Sequence, residues 1–264
     1  MYQRELFQGQ IYYEFFSQDP NQELVVLVHP LGMNGEVWSE TISALEDHYA
    51  ILVLDLPGHG KSAVVKKDMV WEISDLAKMI QALAASLGYQ KAHYVGTSIG
   101  GAIGQELLLS SPTFLQSLMV TNTSHQIGSK ESWDQRAADV RSQGLQHMAS
   151  VIVPRWFANE YLINSKNAVA HWEKGLAESD NEGYATLCEA LGNWSATERL
   201  LETKNDVPIL AVAGREDPAM PLENMQQLAT LLHASLEVMD LGHVPSVEDP
   251  KGFNQLLLDW LARS

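Results

Sequence analysis

Gly96-Thr97-Ser98-Ile99-Gly100 limits what this chain can become more than any other stretch. It follows a short apolar run, Ala92-His93-Tyr94-Val95, that reads as a buried strand, and it opens onto residues 102–109, which read as a helix. A strand reversing directly into a helix through G-x-S-x-G holds its central serine in a strained backbone conformation. A side chain at Gly96 or Gly100 would collide with neighbouring backbone, which is why both positions are glycine. The same turn lifts the Ser98 hydroxyl above the sheet and aims the Ile99 amide at the same spot. In isolation the pattern is also that of a tight turn with a solvated serine. Between strand and helix it marks Ser98 as a nucleophile.

The rest of the chain can build the core such a turn needs. Of its 264 residues 45% are hydrophobic, and the length suits one large α/β domain with an insertion. No apolar stretch is long enough to span a bilayer, and Met1-Tyr2-Gln3-Arg4-Glu5 lacks the apolar run of a secretory signal. Cys188, the single cysteine, cannot form an intrachain disulfide, so it fits a cytoplasmic setting and a role as a small buried hydrophobe. With 17 basic against 33 acidic residues, the formal charge of −16 repels phosphate backbones and anionic membranes. Nucleic-acid and membrane partners are therefore not expected. Lys66-Lys67-Asp68 reads as an exposed loop.

Short apolar runs alternate with longer periodic segments in the first half. Glu5-Leu6-Phe7 and Ile11–Phe16, flanking Gln8-Gly9-Gln10, predict an antiparallel hairpin. Leu24–Val28 and Ala50–Leu54 are continuous apolar runs, the mark of strands covered on both faces. Helices are predicted over 37–45 and 73–87, and a further strand over 115–120. Residues 125–203 carry helical patterns and no convincing strand, with Trp133, Trp156, Trp172 and Trp194 among them. Alternation resumes with a strand at 207–213, a helix at 223–232, a strand at 235–239 and a last helix at 253–261. The expectation is a mostly parallel sheet with helices on both faces, formed by 1–124 and 204–264 and interrupted by a helical cap at 125–203. Tryptophans normally pack cores, but four in one segment suggest that at least one lines a pocket.

A serine hydroxyl needs a base, and the base needs an orienting acid. Loops after parallel strands converge on one edge of the sheet. Asp217, in Gly214-Arg215-Glu216-Asp217-Pro218, and His243, in Leu241-Gly242-His243-Val244-Pro245, both follow predicted strands, in the chain order Ser, Asp, His. Glu216 is the rival acid. Asn122 also follows a strand, but an amide cannot stabilise an imidazolium. His147 and His233 fall in helical patterns and His93 inside a strand, while His29 and His59 read as braces of their loops. Developing negative charge needs two amides: that of Ile99, and that of Leu31 in His29-Pro30-Leu31-Gly32-Met33, since Pro30 has no N–H. With an imidazole as base, activity is expected to fall below roughly pH 6.5.

Together, His29 to Gly32, Asp55 to Ser62, Gly96 to Gly101, Asp217 and Gly242-His243-Val244-Pro245 resemble the motifs of the α/β-hydrolase fold over essentially the whole chain. Within 121–221, Thr121-Asn122-Thr123, Ile127-Gly128, Trp133, Arg136, Val140-Arg141, Gly144, Arg155-Trp156-Phe157, Glu182-Gly183-Tyr184 and Asp217 to Pro221 resemble 3-oxoadipate enol-lactonases. That resemblance implies a cofactor-free opening of a small lactone in the catabolism of aromatic acids, with Trp133, Arg136 and Trp156 against the substrate. General carboxylesterases, acyl-homoserine lactonases and C–C bond hydrolases share the same constellation, and some such folds only bind ligands. His29-Pro30 departs from the small polar pair expected before Leu-Gly, and the acidity of the chain opposes a substrate carboxylate unless a local cation offsets it. Arg136, Arg141 and Arg155 are the candidates for that cation.

Overall fold

Apolar strands whose two faces are equally greasy can only lie inside a layered structure. Leu24–Val28 and Ala50–Leu54 are buried at every position, as is Ala92–Thr97, so helices must cover both faces of the sheet that contains them. The structure, a computed structural model, describes residues 1–66 and 69–264; Lys67 and Asp68 of the expected exposed loop lie outside the described residues. Among the described residues the sheet has eight strands: β1 (Tyr2–Phe7), β2 (Ile11–Phe16), β3 (Leu24–Val28), β4 (Ala50–Leu54), β5 (Ala92–Thr97), β6 (Leu115–Thr121), β7 (Ile209–Gly214) and β8 (Ser235–Met239). Their spatial order is β1-β2-β4-β3-β5-β6-β7-β8. β1 and β2 pair antiparallel, β2 joins β4 antiparallel, and all later pairings are parallel. The sheet is thus the mostly parallel one expected.

The helices between strands are α1 (Ser39–Leu45), α2 (Ile73–Ser86) and α3 (Ile99–Ser110). Between β6 and β7 come α4 (Lys130–Gln143), α5 (Leu145–Ile152), α6 (Asn159–Asn164), α7 (Lys166–Ala177), α8 (Asn181–Asn193) and α9 (Thr197–Glu202), with no strand among the described residues. The chain closes with α10 (Leu222–Leu232), α11 (Pro245–Glu248) and α12 (Pro250–Leu261). Three of the differences from expectation have a local physical reason. α3 starts at Ile99, directly after the serine, because the small Gly100 and Gly101 are themselves helical. β7 starts two residues late because Pro208 has no N–H to give to a ladder. His233 is not inside a helix but caps α10 in the left-handed conformation, at φ 51°.

β4 lies on one side of β3 and β5 on the other, so the winding reverses at β3. Loops leaving the carboxyl ends of neighbouring strands separate at such a point and leave a crevice. No helix among the described residues is long and apolar enough to cross a membrane.

Candidate active site

Ser98 stands at the carboxyl end of β5 with φ 57° and ψ −115°, a strained conformation for a residue with a side chain. Two close approaches force the turn. A Cβ on Gly96 would lie 2.3 Å from the Gly100 carbonyl, and one on Gly100 would lie 2.4 Å from the Val28 carbonyl oxygen. Hydrogen bonds hold the turn in place. The Ser98 N–H donates to Thr121 O at 3.0 Å, Thr123 Oγ1 donates to Ser98 O at 2.8 Å, and the Tyr94 hydroxyl donates to Gly100 O at 2.8 Å.

His243 and Asp217 arrive from the loops after β8 and β7. His243 Nδ1 lies 2.6 Å from Asp217 Oδ2, and both residues are buried. An ionised carboxylate only accepts, so Nδ1 carries a proton, and in a neutral imidazole Nε2 is then the nitrogen with the lone pair. The other carboxylate oxygen, Oδ1, accepts the N–H groups of Ala219 and Met220 at 2.7 and 2.9 Å. Glu216, the rival acid, is exposed. The His243 loop is pinned on its amide side: His243 N–H donates to Trp156 O at 3.0 Å, and Glu248 accepts from Gly242 and from Ala158.

The other histidines do different work. His29 Nε2 accepts the Leu56 N–H at 2.9 Å, which leaves Nδ1 to donate to Pro30 O at 2.8 Å. Thus His29 ties the loop after β3 to the one after β4, and burial pushes its imidazolium down to about 4. His59 Nδ1 bonds Pro57 O at 2.9 Å inside its own turn; burial and then the neighbouring His29 push it down to about 4 as well. His93 is buried on β5 against Ser117 Oγ, and His147 is exposed on α5. Among the described residues, neither the Leu31 amide nor the Ile99 amide donates to another group of the chain.

Ser98, His243 and Leu31 line one cavity of about 340 Å³. Trp133 and Arg136 from α4, Arg155 and Trp156 after α5, and Tyr184 from α8 line it too, with Asn224 from α10. Trp172 and Trp194 lie away from it: Trp172 packs in the core, and Trp194 Nε1 donates to Glu106 at 2.9 Å. Arg141 is corrected as a candidate cation. It points outward into ion pairs with Glu182 and Glu189. Arg136 and Arg155 pair with no carboxylate among the described residues, and the cavity wall contains no Asp or Glu. Burial pushes the Tyr184 phenol up, opposed by the charges of these two arginines. Cys188 is fully buried, with its thiol pushed up by desolvation. No group of three or more His, Cys, Asp or Glu among the described residues is placed to hold a metal ion.

Comparison with known proteins adds to this geometry. A sequence profile of the alpha/beta hydrolase fold matches residues 23–154. Two 3-oxoadipate enol-lactonases of Acinetobacter baylyi are similar to the chain. One is 32% identical over 92% of this chain and 89% of the relative; the other is 26% identical over 89% and 87%. Among solved structures, the enol-lactonase from Burkholderia xenovorans LB400 superposes with a TM-score of 0.91, at 27% identity, over 98% of this chain and 100% of that one.

Proposed function

The chain belongs to the α/β-hydrolase family, and we propose that it is a serine hydrolase that opens a small lactone bearing a free carboxylate, of the 3-oxoadipate enol-lactone type. The family and its enol-lactonase relatives support an ester or lactone hydrolase. The carboxylate reading is carried by one observation. In a chain of formal charge −16, the cavity beside Ser98 has two arginines in its wall and, among the described residues, no Asp or Glu. A local field of that sign draws an anion that the molecule as a whole repels.

In this mechanism the neutral His243 Nε2 takes the proton of Ser98 as the hydroxyl oxygen attacks the ring carbonyl. Asp217 holds the imidazole in the Nδ1–H tautomer and stabilises its cation. The amides of Leu31 and Ile99 bind the tetrahedral oxyanion, each contributing about 2.7–4 kcal/mol. Collapse breaks the ring C–O bond. It leaves the acyl group on Ser98, and the departing enolate takes from His243 the proton that came from Ser98 and ketonises, so the imidazole is neutral again. His243 then removes a proton from water as the water oxygen attacks the acyl carbon, and returns it to Ser98 Oγ as the acid is freed. The segment α4 to α9 acts as a cap over the site, presenting Trp133, Trp156 and the arginines to the substrate.

Turnover of the enol-lactone, generated in situ, beside neutral p-nitrophenyl esters tests the reading, together with labelling of Ser98 by a fluorophosphonate. Labelling with faster turnover of the anionic lactone is expected. Labelling with a preference for neutral esters, acyl-homoserine lactones or ring-fission dienones would replace the substrate but keep the mechanism. An unlabelled serine and no turnover would remove both.

A further inference from the structure

Asn122 follows β6 directly, is fully buried, and takes a left-handed φ of 45°, which asparagine tolerates better than most residues with a side chain. Both of its side-chain N–H groups and its carbonyl oxygen are engaged. Nδ2 donates to the carbonyls of Gly242 and His243, each at 2.9 Å, and Oδ1 accepts the Gly214 N–H at 2.7 Å. Three strand ends therefore meet on one carboxamide: β6, the exit of β7 that leads to Asp217, and the loop after β8 that carries His243. Trp156 and Glu248 hold the amide side of that loop, and Asn122 holds its carbonyl side. The residue type is demanding. An ionised aspartate has no donor, a hydroxyl has one, and glutamine is a methylene too long.

We propose that Asn122 is a positioning residue: by clamping the Gly214 amide to the Gly242 and His243 carbonyls, it sets the Asp217–His243 contact and aims the imidazole at Ser98. This inference rests on the serine-hydrolase reading above. The bonds lie in a low-dielectric interior, where they are strong when made and costly when broken. Displacing the imidazole by about 1 Å is enough to cost on the order of 10²-fold in rate.

Asn122→Asp keeps the shape and the acceptor for Gly214 but sets an oxygen against two carbonyls; Asn122→Ala removes all three bonds. Each is assayed below its own melting temperature, with activity expressed per folded molecule. The expected result is a kcat lower by about 10²-fold with KM nearly unchanged. Fluorophosphonate labelling of Ser98 slows in step, and the downfield proton resonance of the His243 Nδ1–H shifts or broadens. Lower melting temperatures with kcat, labelling rate and resonance unmoved overturn the proposal and leave the hydrolase reading standing. A wild-type protein that neither turns over nor labels overturns the hydrolase reading. The resonance then judges the clamp alone: shifted in the variants it stands, unshifted it falls. Should both variants fail to fold, Asn122→Ser, which keeps one donor, serves the same comparison.

Discussion

Ser98 occupies a backbone region that only glycine enters without strain, so this position trades stability for a hydroxyl set at the cavity wall. The trade can be measured. Ser98→Ala keeps the Cβ and the strain; under the proposed mechanism it lowers kcat by about 10⁴-fold or more while the protein still folds. Ser98→Gly is equally inactive but more stable than Ser98→Ala by about 1 kcal/mol, because removing the Cβ releases the strained φ. Denaturant unfolding of the two variants side by side gives that difference. Equal midpoints would show that the turn is unstrained. The two arginines of the cavity wall are open to a similar comparison. Losing a hydrogen bond to a charged group costs about 1.5–3 kcal/mol, so Arg136→Gln and Arg155→Gln should each raise KM for the anionic lactone by about 10- to 100-fold. Hydrolysis of a neutral p-nitrophenyl ester should change little. Equal losses on both substrates would mean that the arginines support the cavity rather than read charge.

What could be read from the sequence at the level of strands and helices depended on how far apart the interacting residues lie. The strand runs, the turn at Ser98 and the loops with Asp217 and His243 carry their chemistry in a few adjacent residues, so each was visible alone. The orientation of α4 was not. Its sequence is polar nearly throughout, with only Ala137 and Val140 buried, so no apolar stripe fixed which face turns inward. Trp133 and Arg136, three apart, share the cavity side; Arg141, five beyond Arg136, comes out on another face and meets Glu182 and Glu189. The long-range bonds of Asn122 and Glu248 were hidden for another reason: they reach Gly242 and Ala158, 120 and 90 residues away in the chain. Glu248 joins the helical segment to the core by accepting the N–H groups of Ala158 and Gly242 at 2.9 and 3.1 Å, with Val244 at 3.4 Å. Glu248→Ala leaves these donors without their acceptor, at about 1–3 kcal/mol for each that stays buried. The expected loss is on the order of 3 kcal/mol, or about 6–12 °C in melting temperature for a chain of this size. A calorimetric shift under about 2 °C would mean that water replaces the carboxylate at no cost.

The fold as a whole should respond to acid through the two histidines buried behind the site. Unfolded, His29 and His59 bind protons with an ordinary imidazole pKa near 6.5; folded, both are pushed down to about 4, chiefly because burial strips the cation of water. Between those values the unfolded chain holds more protons than the folded one. Stability is therefore complete above about pH 6.5 and is lost as pH falls toward 4. The limiting slope is about 1.4 kcal/mol per pH unit for each histidine, and about twice that for the pair while both stay neutral in the folded protein. Asp55 and Glu248 carry the opposite sign. Burial raises both, so their contribution is greatest in acid and is lost as pH rises through their folded-state pKa values. Comparison with a variant that lacks one imidazole separates the two signs. His59→Asn keeps a donor for Pro57 O and cannot titrate, so it should flatten the fall by about one proton's worth while leaving stability above pH 7 less affected. Urea midpoints of the wild type and this variant at half-unit steps from pH 5 to 8 decide the matter. If the two curves run parallel through pH 6, His59 is not one of the groups that acid must charge to unfold the protein.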